Sequence, residues 1–204
     1  LFTTSADLQL DIGKRNSRLT SGKPSVENRP SLSHNREKQS LIDPNAFYLK
    51  PLGVADENGR IRPSQQNKWR QINKFVEILA GLVDNSPLKD SEELAIVDMG
   101  SGKGYLTFAA YDYFAHSRNR SVRMTGVESR QGLVETCNDI ARSGGFDGLH
   151  FVQARIADFD PGETDILIAL HACDTATDDA LFKGVAGNAT IIVAAPCCHK
   201  ELRK

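Results

Sequence analysis

The run Ala95-Ile96-Val97-Asp98-Met99-Gly100-Ser101-Gly102-Lys103-Gly104-Tyr105 sets a carboxylate and three alternating glycines directly after an apolar stretch. It reads as a buried strand, a tight turn and a helix start. Glycine lets the backbone turn sharply and lets a ligand come close. The helix N-terminus that follows offers unpaired N–H groups. A dinucleotide fingerprint would read G-x-G-x-x-G and seat a pyrophosphate on the helix. Here the third glycine comes one residue early, and Asp98 precedes the turn, where it would repel a pyrophosphate. An acid there suits a ligand with a cationic amino group. S-adenosylmethionine brings both an ammonium and a sulfonium. The residues therefore favour that methyl donor over a nicotinamide dinucleotide, which is the competing reading.

Two further segments extend the candidate cofactor site. Glu128 ends the run Thr125-Gly126-Val127 and is followed by Ser129. An acidic residue at the end of a second strand can accept both hydroxyls of a ribose. Gln153-Ala154-Arg155-Ile156-Ala157-Asp158 follows a third strand. There Ile156 could cover an adenine face and Asp158 could accept from its exocyclic amine. A solvated turn is the alternative for these residues.

A second constellation follows the fourth and fifth strands: His171-Ala172-Cys173-Asp174 and Pro196-Cys197-Cys198-His199. If those strands are neighbours, His171, Cys173, Asp174, Cys197, Cys198 and His199 meet beside the methyl donor as candidate catalytic groups. A cysteine could attack a pyrimidine ring. A histidine or aspartate could take a proton from a hydroxyl or amine. Zinc prefers Cys and His in a tetrahedron, but H-x-C and C-C-H lack the usual C-x-x-C knuckle, so no metal is expected. Small cysteines packed under loops are the remaining alternative.

These segments need a scaffold that brings strand ends together. Apolar strands are expected at Leu94–Met99, Val122–Val127, His150–Ala154, Asp165–Leu170 and Thr190–Ala195. Helices are expected at Tyr105–Phe114, Arg130–Arg142 and Thr177–Val185. An amphipathic helix precedes them, with Trp69, Ile72, Phe75, Val76, Leu79, Leu82 and Val83 along one face. This alternation argues for an α/β, Rossmann-like parallel sheet with helices on both faces. Ligands of such sheets bind at the C-terminal edge, and every segment above falls there. Sheets of this kind in methyltransferases usually have seven strands, so the sheet is expected to be incomplete at the C-terminus.

Residues 1–64 read as a basic, loop-rich N-terminal extension and residues 65–204 as the domain. A short strand is expected around Leu8–Ile12. Residues 1–75 hold 13 Lys and Arg against 7 Asp and Glu, although the whole chain carries a net charge of −1. That asymmetry suits either a polyanionic partner or a solvated arm. His34, Arg36, Lys38, Arg60 and Arg62 are the candidate phosphate contacts. Only Phe47 and Tyr48 lie near them, too few aromatics for a base-stacking platform. No apolar run approaches the roughly 20 residues of a membrane span, and no leader pattern opens the chain. A cytoplasmic protein with free thiols is expected. Oligomeric state is not legible.

The paired H-x-C…A-T-D and P-C-C-H segments resemble a methyltransferase-like family of the class I S-adenosylmethionine-dependent enzymes. They are similar, more distantly, to the 2′-O-methyltransferases of the tRNA acceptor stem. Lys68-Trp69-Arg70-Gln71 resembles the family's K-x-x-Q element. The resemblance covers roughly Gln65 to Lys204. It implies S-adenosylmethionine binding at Asp98, Gly100, Gly102, Gly104 and Glu128, with Lys68, Ser101, Tyr105, Ser129, Arg155, Ile156 and Asp158 around it. It brings RNA forward as substrate. Two departures stand out. The Asn/Asp-Pro-Pro-aromatic tetrad of amino-group methyltransferases is absent, which disfavours adenine N6 chemistry. Asp174 stands where relatives often have glycine. An RNA methyltransferase is the leading expectation. A small-molecule or protein methyltransferase and a non-catalytic interaction module are the alternatives.

Overall fold

Two stretches of alternating residues pair first. In the computed structural model, which describes residues 5–13, 16–25, 40–170 and 175–195, strand β1 (Asp7–Ile12) pairs antiparallel with β2 (Ser17–Gly22). Leu10 lies opposite Leu19 on one face of this hairpin, while Asp11 lies opposite Arg18 on the other. The hairpin belongs to a unit ending at Gln39; a second compact unit begins at Ser40.

The second unit holds a five-stranded parallel sheet. Helix α1 (Gln66–Asp84) leads into β3 (Glu93–Met99), and α2 (Tyr105–Asp112) follows the glycine turn. Then come β4 (Ser121–Glu128), α3 (Gln131–Ser143), β5 (Leu149–Gln153), β6 (Ile166–Ala169), α4 (Thr175–Ala186) and β7 (Ile191–Ala194). The strand order is β5-β4-β3-β6-β7. The chain thus starts at the centre, fills one side, and then crosses to the other. The switch point lies between β3 and β6, where such sheets bind ligands.

Strand alternation explains the two layers. Leu94 and Ile96 of β3 face a core shared with Ile72, Val76 and Leu79 of α1, Phe108 of α2 and Ile140 of α3. Val97 and Met99 point to the opposite face and pack with Leu167, Ala169 and Ala180 of α4. Both faces are covered, so β3 reads as one continuous buried run after Glu93. Asp98 falls on the α2 side by the same alternation.

One boundary differs from the sequence expectation. Residues 41–64, read there as loops of the extension, include Ile42, Tyr48, Leu49, Val54 and Ala55, all buried in the same core as α1 and α2. Tyr48 stacks on Phe108 with ring centroids 5.6 Å apart and donates to Asp112 Oδ2 at 3.4 Å. Phe47 rests on Phe146, and its ring lies where a side chain on Gly144 would have to go. This segment lacks periodicity because it is held by single anchors rather than by a helix or strand. Tyr48 is fully buried and not free to stack on a base. Helix α2 also ends earlier than expected, passing into a π-helical turn over Tyr113–Ser117. No helix among the described residues is long and apolar enough to cross a membrane.

Candidate cofactor site

The C-terminal ends of β3, β4, β5 and β6 open onto one cavity of about 660 Å³. Small-molecule sites commonly measure about 300–1,000 Å³. The glycine turn forms its base. Gly100, Gly102 and Gly104 have φ of 82°, 59° and 74°, a left-handed conformation costly for other residues. Gly100 and Ser101 both donate their N–H to Val127 O, at 2.8 and 2.9 Å, which ties the turn to β4. Gly102 faces the cavity. Gly104 does not: a Cβ there would meet the rings of Phe108 and Phe151 at 3.0–3.1 Å. Its role is to let α2 start against the core.

Asp98 is 5% exposed and lines the cavity floor. Thr107 Oγ1 donates to its Oδ2 at 2.6 Å. Burial pushes the Asp98 carboxyl up to about 6, and the bond from Thr107 opposes that rise. Glu128 lies on the same floor, 6% exposed. The Arg130 guanidinium beside it holds its carboxyl down at about 2. Arg130 Nε donates to Oε1 at 2.9 Å and Nη2 to Oε2 at 3.1 Å. The Arg130 backbone N–H and the Ser129 hydroxyl also donate to Oε1, at 2.9 and 3.3 Å.

Lys68 reaches the cavity from α1. Its Nζ donates to Gln71 Oε1 at 2.9 Å and stands 5.1 Å from the Tyr105 ring centroid, so the two ends of the K-x-x-Q element touch. Ser101, Tyr105 and Ser129 line the cavity as well, as do Arg155 and Ile156 from the loop after β5. Asp158 does not. It sits at the end of the 3-10 turn Ile156–Asp158 with its side chain 70% exposed, 4.0 Å from Arg155 Nε. Its side chain thus faces solvent outside the cavity lining, next to Ile156, which lines it.

Leu170, Thr175, Ala176 and Asp179 close the side beyond β6. His171, Cys173, Asp174, Cys197, Cys198 and His199 lie outside the described residues, as do His34, Arg36 and Lys38. Among the described residues, no cluster of His, Cys, Asp or Glu could hold a metal ion. Cys137 is a free, buried thiol; burial and the Glu128 carboxylate push it up to about 11. Sequence reasoning missed Thr107, Lys103, Arg130 and Asp179. Arg130 had a signal, its position two residues after Glu128, but nothing periodic marks a loop side chain that folds back.

The strand order and the site at its switch point define a Rossmann-like α/β fold, the fold of class I methyltransferases. The matching family model agrees: it is described as a methyltransferase domain and covers residues 67–204. The chain belongs to this methyltransferase domain family, and S-adenosylmethionine is the domain's cofactor. No curated protein matches the chain. Solved structures that resemble it include the cyclase SpnF, at 16% identity and TM-score 0.44, covering 58% of this chain and 42% of that one. A putative class I S-adenosylmethionine-dependent methyltransferase of Listeria monocytogenes has 16% identity and TM-score 0.41, over 47% of this chain and 29% of that one. The N-terminal domain of EvdMO1 with SAH bound has 12% identity and TM-score 0.43, over 59% and 45%. The chain spans less than half the length of each. The family match carries the methyltransferase assignment, and the strand order agrees with it.

The residues present suit the cofactor. Among the described residues, Asp98 takes one hydrogen bond, from Thr107, and otherwise meets the cavity, as a counter-ion for a cation should. The carboxylate of Glu128 has two oxygens for a diol. At Gly102 a Cβ would meet nothing nearer than Arg130 Nη2, at 4.0 Å, so the turn is open to a ligand.

Proposed function

We propose that this protein transfers the methyl group of S-adenosylmethionine, held in the described cavity, to RNA. The observation that supports the RNA reading is the layering of charge. The acids on the cavity floor, Asp98 and Glu128, are buried, whereas the cations at its mouth are exposed: Lys103 and Arg155, with Lys68 half-buried beside them. A buried acid pair suits a cationic cofactor. An exposed cationic rim suits a polyanion arriving from solvent. Arg60 and Arg62, exposed on the same unit, are further phosphate contacts in this reading.

When bound, S-adenosylmethionine supplies an electrophilic methyl group. Asp98 would face its cationic end, Glu128 would accept its ribose hydroxyls, and Ile156 would cover its base. The chain's main contribution is to hold acceptor and donor in line, which can supply much of a methyl-transfer rate. Removal of a proton from the acceptor is assigned to the group His171, Cys173, Asp174, Cys197, Cys198 and His199. Leu170 and Thr175, which bound the first half of that group in the chain, both line the cavity.

The test is transfer of labelled methyl groups to fractionated RNA, protein and small molecules from cells. Label in RNA, lost together with RNA binding in a Lys103→Ala/Arg60→Ala double variant that still binds S-adenosylhomocysteine, is the expected result. Label confined to protein or small molecules would replace RNA as the substrate. Cofactor binding without transfer to any fraction would make the domain an interaction module.

A further inference from the structure

Glu128 cannot take both hydroxyls of a ribose while its present donors stay in place. A carboxylate offers about four lone-pair sites on two oxygens. Oε1 accepts from three donors, the Ser129 hydroxyl, the Arg130 N–H and Arg130 Nε, and Oε2 accepts from one, Arg130 Nη2, which leaves one site open on Oε2. Two of these are local, a side-chain hydroxyl on the next residue and a backbone N–H set by the turn into α3. The other two come from one guanidinium, which sets one donor on each oxygen. That is the pattern a vicinal diol would make. The same Nη2 lies 4.0 Å from the Cβ position of Gly102, on the opposite wall. The guanidinium therefore bridges the narrow end of the cavity, between the glycine turn and Glu128.

The Arg130 side chain is 68% exposed, against 6% for its partner. It is anchored at its tip and free along its stem, so leaving Glu128 returns it to water and requires no backbone change. Glu128 cannot leave, because β4 holds it in the sheet. Its oxygens are the fixed point, and donors exchange on it.

We propose that Arg130 is a latch on the ribose end of the cofactor cavity. It satisfies Glu128 while the cavity is empty, and cofactor binding displaces it onto the rim, the diol replacing the guanidinium donor for donor. This rests on the reading that S-adenosylmethionine occupies the cavity. It makes Arg130 a competitor of the cofactor rather than one of its ligands. The cavity is closed by a movable side chain and not plugged. Each binding event also releases one cation to the mouth, beside Lys103 and Arg155.

Titration calorimetry of the full chain with S-adenosylhomocysteine tests the latch without any turnover. Wild type, Arg130→Ala and Arg130→Lys are compared at about 50 and about 300 mM salt, where screening lengths differ by more than twofold. Removing the competitor should tighten binding by about 2–5-fold, the range for an ion pair with one exposed partner. Salt weakens the Arg130–Glu128 pair, and the ligand has no net charge. Wild-type affinity should thus rise with salt, and that of Arg130→Ala should not. Arg130→Lys keeps the charge without the fork and should fall between them. Weaker binding by Arg130→Ala, or the same salt response in both proteins, would overturn the latch. Absence of binding by wild type would overturn the cofactor reading itself, which is a different outcome.

Discussion

Asp98→Asn should make the empty protein more stable and the cofactor site worse. The carboxyl is 5% exposed and is pushed from 3.8 up to about 6 by burial. The folded state therefore holds this proton more tightly than the unfolded chain does. Stability from Asp98 is complete below pH 3.8, declines as pH rises towards about 6, and is gone above it. The rise corresponds to roughly 3 kcal/mol, a large part of the about 5–15 kcal/mol that holds a typical domain together. Asparagine keeps the shape and can still accept from Thr107, but it never ionises. Urea unfolding without ligand should show the variant more stable by about 3 kcal/mol near pH 7.5 and equal to wild type near pH 4. The same variant should lose affinity for S-adenosylhomocysteine, because the counter-ion for its ammonium is gone. A variant less stable at both pH values would refute the reasoning. So would a stability difference that does not change with pH.

Other substitutions probe other parts of the argument. Glu128→Ala should weaken S-adenosylhomocysteine binding by about 1.5–3 kcal/mol in calorimetry, as for lost hydrogen bonds to a charged group. Deleting residues 1–64 removes Ile42, Tyr48, Leu49 and Val54 from the core. At about 1.5–3 kcal/mol each, that loss approaches the whole stability of a domain, so circular dichroism should show an unfolded chain. Deleting residues 1–39 should leave a cooperative urea transition. Gly144→Val places carbon inside the Phe47 ring and should cost about 1–3 kcal/mol in urea unfolding, with cofactor affinity unchanged.

The sheet was legible because its strands are short, apolar and buried on both faces. All five expected strands start and end within one residue of those observed, His150–Ala154 being shifted as a whole by one. The glycine turn, Asp98 and Glu128 were legible because backbone geometry and charge leave a mark in residue type. Ile42, Tyr48 and Leu49 were not, since a segment pinned at isolated points has no period, and its prolines and glycines read as loop. Thr107 was hidden on a helix that is apolar nearly all round. The outward direction of Asp158 was not legible, because sequence gives the residue at a loop and not the direction of its side chain. Arg130 could be seen only once the guanidinium was found folded back on Glu128.

The anchoring of residues 40–64 has a consequence for the order in which the molecule can form. Tyr48 hydrogen-bonds a residue 64 positions later, and the ring of Phe47 rests on Gly144 and Phe146, later still. Contacts so distant along the chain are slow to close. During synthesis, at about 5–20 residues per second, Ile42, Tyr48 and Leu49 are made before nearly everything that buries them, and wait several seconds for their partners. They are an exposed apolar cluster for that interval. The early segment is translated first yet stays unburied until α3 and the turn after it have emerged, and until then the nascent chain is most open to aggregation and to chaperones.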